Sequence, residues 1–227
     1  MPCQLPGDCL NEIFKYLKED KITLHSCLLV NRLYCEIVIE ILWSDVWNFH
    51  TYFNLKPHVS LSIIGTLVAC LPNESKDLLH KNGIFIITPT QKPPLFNYAS
   101  FFKVISIPKL NCLIIHTFKI QQTNTSKDLN HDKCLLLSGE ILKMFMNQIS
   151  SLKSLDCHSW NLNIVFICLP RAKICLSNLV EFKCYSDICS EFFYQISRIC
   201  HNIQSLTIYI RDDISDGLTN LISSQII

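Results

Sequence analysis

Apolar residues recur along this chain with two spacings, one helical and one extended, and the change of spacing divides it. Leu10, Ile13, Phe14 and Leu17 fall at i, i+3, i+4 and i+7, which predicts one stripe of a helix. Pro6 sits where a proline is tolerated, before the first turn. Asp8 is placed to cap the free N–H groups there, and Glu12 suits an early turn. The charged run at 18–21 closes this helix. A second helix is expected over 24–30 and a third over 31–42, where Leu33, Ile37 and Ile41 keep one face and Tyr34, Val38 and Leu42 another.

Further helices are predicted at 60–71, from the stripe Leu61, Ile64, Leu67, Val68 and Leu71, with Pro72 as its stop, and at 74–80, ending on Lys81-Asn82-Gly83. Residues 84–87 read as a strand. The proline-rich break at 88–94 is the best boundary between a helical part and the rest. Residues 102–107 read as a strand. Residues 109–120 fit either a helix or a strand, and the polar stretch 121–133 reads as a surface loop.

From residue 135 a repeat emerges. Leu152-Lys-Ser-Leu155-Asp-Cys157, Leu179-Val-Glu-Phe182-Lys-Cys184 and Ile203-Gln-Ser-Leu206-Thr-Ile208 all follow L-x-x-L-x-L. Each would be a short strand with inward apolar positions, covered by helices expected at 138–149 and 189–200. Units of this kind cannot bury their faces alone and must stack. Another amphipathic helix starts at 217, and no polar capping unit follows it. The array is therefore expected either to be capped by a partner or to belong to a shortened chain. The fold class expected is α/β (α+β): a helical segment at 1–48, a helical linker region at 49–94, and a repeat-like α/β domain at 95–227.

Composition narrows the function. Lys and Arg number 20 against 19 Asp and Glu, so the chain lacks the basic excess that nucleic-acid binding requires. Charged residues are 17% and hydrophobic ones 49%, which marks a chain with much to bury. The longest apolar run, at 164–169, is far short of the ~20 residues of a membrane span. The start has no basic region followed by an apolar one. An intracellular chain, cytoplasmic or nuclear, is therefore expected. Its 13 cysteines would be reduced, and the sequons at Asn73 and Asn124 would be silent.

Candidate chemistry is sparse. No C-x-x-C pair occurs, and Cys157-His158 has no second half at zinc spacing. Cys157 and Cys184 fall on the inward phase of the repeat strands. Asp212-Asp213-Ile214-Ser215-Asp216 spells a magnesium-binding pattern, but Ser215 or Asp216 there also suits a helix cap. Neither a glycine-rich phosphate loop nor a Gly-x-Ser-x-Gly elbow is found. Cys134 beside His131 is the one conceivable nucleophile pair. No metal and no cofactor are expected.

Leu5-Pro6-x-Asp8-x-Leu10-x-x-Ile13-Phe14-x-x-Leu17, then Leu28-Leu29-Val30-Asn31-Arg32, then Leu42-Trp43-x-x-x-Trp47, resembles an F-box over residues 5–47, with Tyr34 near a position where the family usually carries tryptophan. The units further on resemble the leucine-rich repeats that follow many F-boxes, without their asparagine-type position. The resemblance implies a non-catalytic protein that binds a Skp-type adaptor, and through it a cullin, in a ubiquitin ligase that sends an unknown protein substrate to degradation. Leu5, Pro6, Leu10, Ile13, Phe14, Leu28, Val30 and Trp43 would then form or support the adaptor face. It implies neither nucleic-acid nor membrane partners. The residues alone also fit a buried helical hairpin at the start, a plain α/β layer after it, and an interaction scaffold with no ligase or, at the margin, a cysteine hydrolase. A segment of about 45 residues is near the lower size limit for folding alone, so its apolar surplus argues for a covering partner.

Overall fold

The computed structural model describes residues 5–47, 56–89, 93–121, 131–158, 164–211 and 214–225. The chain divides into two compact units, 1–48 and 49–227.

The first unit holds three helices, α1 (Gly7–Tyr16), α2 (Lys21–Cys27) and α3 (Arg32–Ser44). Each begins where the local chemistry allows. Asp20 caps α2, its Oδ1 accepting from the Thr23 amide at 3.0 Å and its Oδ2 from the Thr23 hydroxyl at 2.6 Å. Asn31 caps α3 by accepting from the Tyr34 amide at 2.9 Å. At α1 the expected Asp8 cap is not made. The helix starts one residue earlier, after Pro6, with no side-chain cap, and this puts Asp8 inside the first turn. There its charge acts on the helix dipole rather than on a particular N–H. The second helix stops at Cys27, earlier than its pattern suggested, and the amides of Leu29 and Val30 bond the carbonyls of Ser26 and Cys27 in a tight turn. Leu10, Phe14, Leu24, Val38 and Ile41 form the core, and both stripes of α3 contribute to its surround. Tyr34 meets Phe14 edge-on at 5.1 Å, so the tyrosine ring fills the aromatic position at this core.

The second unit opens with α4 (Pro57–Cys70) and α5 (Asn73–Lys81), and α4 packs against α6 further along. Gly83 turns the chain with a left-handed φ of 67°, which a glycine adopts freely. The stretch 84–87 is not the expected strand. It is irregular backbone laid on a helix: a Cβ at Gly65 of α4 would stand 2.6 Å from the Ile87 carbonyl oxygen. Its alternation serves to seat Ile84 in the core, while Phe85 and Ile87 stay exposed.

A 3-10 turn at Tyr98–Phe101 leads to β1 (Val104–Ser106), then α6 (Ile107–Gln121) and α7 (His131–Gln148). The ambiguous segment 109–120 is thus helical, and α7 starts at His131, inside the stretch read as loop. The remainder alternates: β2 (Ser154–Asp156), a 3-10 turn at Ile164–Cys168, α8 (Ala172–Leu176), β3 (Glu181–Tyr185), α9 (Ser190–Ile199), β4 (Ser205–Tyr209) and α10 (Asp216–Ser224). The four strands form one parallel sheet in chain order, β1-β2-β3-β4. Among the described residues the fold is therefore mixed helix and sheet, with ten α-helices around that sheet.

The register explains the repeat. Ile105, Leu155, Phe182 and Leu206 stand side by side across the four strands. The first three are fully buried and Leu206 is half-buried. Right-handed crossovers between parallel neighbours in chain order all pass over one face, and these side chains point beneath the helices. The opposite face is left open. Phe102-Lys103-Val104-Ile105-Ser106-Ile107 is a fourth copy of the L-x-x-L-x-L pattern. It escapes a search by period because α6 and α7 are both inserted before the next copy.

Candidate functional site

On the first unit the apolar stripes are not consumed by the core. Leu5, Ile13, Tyr16, Ile22, Leu29 and Val30 remain exposed, with Ile13 at 47% and Val30 at 60%. They come from the approach to α1, its outer side, the start of α2 and the turn before α3. The expected adaptor residues separate into two groups. Leu5, Pro6, Ile13 and Val30 are exposed and available for contact. Leu10 and Phe14 are buried in the three-helix core, so they hold the surface up rather than form it. Leu28 is half-buried against that core, and Trp43 is half-buried at the end of α3. The charged pairs here, Lys15 with Glu12 at 2.6 Å and Arg32 with Glu36 at 2.8 Å, are exposed helix-surface pairs of small energetic weight. The aromatic segment after the motif falls at 48–55, outside the described residues, apart from Trp47, which is buried.

On the second unit the open face of the sheet carries a polar row, Ser106, Asp156, Lys183 and Thr207, in register across the strands. Asp156 anchors it. Its Oδ2 accepts from the Ser106 hydroxyl at 3.1 Å, and its Oδ1 accepts from the His158 amide at 3.1 Å and lies on His158 Nδ1. The imidazole is thereby oriented with Nε2 turned away from the carboxylate. Beside it stands an aromatic group: His158 is 4.9 Å from Tyr209 and 5.9 Å from Tyr185, and the two tyrosines are 5.8 Å apart. Arg211 lies over the Tyr185 ring at 3.3 Å and pairs with Asp187 at 3.5 Å. Its amide bonds the Ser186 hydroxyl, and the Ser186 amide bonds the Tyr209 carbonyl, which ties the two strand ends together.

This constellation was not singled out from the sequence, although a signal exists. His158, Tyr185 and Tyr209 each stand six positions after the first residue of their repeat. The arrangement offers fixed hydrogen-bonding groups and aromatic edges to an extended partner lying across the strands.

The cysteines behave as core side chains. Burial pushes the Cys157 thiol well above its ordinary range, helped by Cys184 and Asp156, and pushes Cys175, Cys184 and Cys200 up to about 12. Cys134 is buried on α7 and its thiol is also pushed up by desolvation, the reverse of what a nucleophile needs. Ser215 caps α10, accepting from the Leu218 amide at 3.3 Å, and Asp216 lies in that helix's first turn. Asp212 and Asp213 fall outside the described residues. Among the described residues no three His, Cys, Asp or Glu side chains gather as metal ligands, and no helix is long and apolar enough to cross a membrane. No protein-family model, no curated protein and no solved structure matches the chain.

Proposed function

We propose that the chain is an F-box-type, substrate-recruiting subunit of a Skp–cullin ubiquitin ligase, with a leucine-rich-repeat-like sheet as its substrate-binding part. One observation carries the reading. The Leu-Pro-x-Asp-x-Leu-x-x-Ile-Phe pattern lies on a three-helix unit whose own core uses Leu10 and Phe14 and leaves Leu5, Ile13, Leu29 and Val30 facing outward. A unit this small with that much exposed apolar area is expected to complete itself on another protein. The adaptor is the partner that the motif implies. Docking would cover an interface of about 1,600 Å² or more. The chain would then act by proximity, raising the effective concentration of substrate lysines near the ligase.

The open sheet face, with Lys183, His158, Tyr185 and Tyr209, is the surface proposed for the substrate protein. Capture of a Skp-type adaptor from solution tests the first half. Leu5 and Pro6 changed to alanine together, and Ile13→Asp and Val30→Asp singly, should lose capture while the helical circular-dichroism signal stays. Equal recovery of adaptor with all variants, or none with the wild-type chain, defeats the proposal. In the second case, retained binding of a partner through Tyr185 and Tyr209 would leave an interaction scaffold without a ligase.

A further inference from the structure

The sheet ends at β4, and its outer edge is bare. Among the described residues no strand pairs with it. The ladder to β3 decides which backbone groups face that edge. The Ser205 amide donates to the Val180 carbonyl at 3.0 Å, and the Tyr209 carbonyl accepts from the Ser186 amide at 3.0 Å. Positions 205, 207 and 209 therefore turn their peptide groups toward β3. Bonding alternates along a strand, so Leu206 and Ile208 direct their N–H and C=O groups outward.

Natural sheet edges are blunted by charge, proline or a bulge. The run at 205–210, Ser-Leu-Thr-Ile-Tyr-Ile, has neither charge nor proline, and it pairs with β3 residue by residue without a bulge. The inward side chains Leu206 and Ile208 are only half-buried, although their neighbours Phe182 and Cys184 are fully so. Ile210 and Ile214 beside them are exposed at 73% and 56%. The helix layer leaves this edge open. α10 lies against α9, with Gly217 on the Ser190 carbonyl and the Gln225 amide on the Cys200 carbonyl.

We infer that this edge pairs with β4 of a second copy of the chain, antiparallel, about a two-fold axis through Thr207. The strand is self-complementary in that arrangement. A two-fold normal to the sheet sets Leu206 opposite Ile208 of the second copy, and the outward N–H and C=O of each meet as donor and acceptor. Thr207 then faces its own copy at the axis, in the pair that exchanges no backbone bonds. Opposed residues share a face, so the half-buried Leu206 and Ile208 of both copies join beneath the helices and complete one another's core. The lack of charge favours a second copy in particular. A two-fold axis sets groups near it against their own kind, which a charged edge would resist and this edge does not. Joining β4 to β1 of another copy would not close, and β1 offers three residues to the five of β4.

Sedimentation of the full-length chain across a concentration series tests this. The wild type should pass from the 26.2 kDa of one chain to twice that mass. Thr207→Lys and Thr207→Glu each put like charges at the axis and should weaken association by about tenfold or more. Mixed in equal amounts, the two should restore it, because lysine then meets glutamate. In the wild type, amide exchange at Leu206 and Ile208 should slow with concentration while exchange at Ser205 and Thr207 does not change with it. This measurement decides the matter should a Thr207 variant fail to fold. A single mass at every concentration, a dimer indifferent to Thr207→Lys, or an open ladder of masses overturns the inference. None of these readouts involves the adaptor, so the proposal above stands or falls separately.

Discussion

Asp20 is an exposed carboxylate whose two oxygens both hold Thr23, one the amide and one the hydroxyl. Hydrogen bonds to the charged form lower its pKa below the ordinary 3.8, the Thr23 hydroxyl contributing most and its amide next. The sign follows from linkage. A carboxyl with a depressed folded-state pKa contributes its stability in full above the unfolded value and loses it as pH falls through the folded one. The wild-type chain should therefore lose melting temperature on acidification through the carboxylate range more steeply than Asp20→Asn, which keeps a neutral cap. Parallel curves for the two would show that the Asp20 cap does not hold α2. At the same scale, Tyr34 answers a question that the sequence raised, since its ring packs edge-on against Phe14 within the three-helix core. Asp8 shows the opposite: a residue suited to capping was read as the cap, but the backbone entered the helix one position earlier.

Among the elements, the clearest constraint is where α10 meets α9. A Cβ at Gly217 would lie 2.3 Å from the Ser190 carbonyl oxygen and 2.7 Å from its Cα, so the two helix starts touch backbone to backbone. Gly217→Ala cannot be absorbed by a side-chain rotation and should cost about 1–3 kcal/mol through forced backbone movement. The shift in urea midpoint measures it, and a variant as stable as the wild type would refute the contact. The same logic explains why 84–87 is not a strand. Its Ile-Phe-Ile-Ile run has the propensity, but Gly65 leaves a slot on α4 for this backbone to lie in. Propensity yields to the surface actually available. The inserted pair α6 and α7 had the converse effect, hiding the kinship of β1 with the later strands by lengthening a single connection.

For the molecule as a whole, the near balance of charge and a mean hydropathy of +0.26 leave little to keep exposed apolar surface apart from other chains. Two surfaces are open to satisfaction, the outward residues of the three-helix unit and the free β4 edge. They make different demands. On the reading proposed above, adding a Skp-type adaptor stabilises the first unit by mass action, about 2.7 kcal/mol at a hundredfold excess over the dissociation constant. Hydrogen exchange should then slow in α1–α3 and stay unchanged in β1–β4. Equal slowing throughout both units, or none in α1–α3, would contradict the assignment of the adaptor face to the first unit.

Local pattern determined much of this protein by itself. Stripes such as Leu10 and Phe14 depend only on 3.6-residue periodicity, and the L-x-x-L-x-L strands only on alternation, so both were legible residue by residue. Side chains six positions into each repeat were also written in the sequence. Their meaning was not, because only parallel pairing in register brings His158, Tyr185 and Tyr209 within ring contact and fixes the imidazole through Asp156. Tertiary structure alone decided which of the motif's apolar residues face inward and which outward, since a stripe states a direction but not how wide a core will cover it. It likewise decided that β4 ends the sheet with its hydrogen-bonding groups unpaired, a property of the strand that is missing beside it rather than of the residues within it.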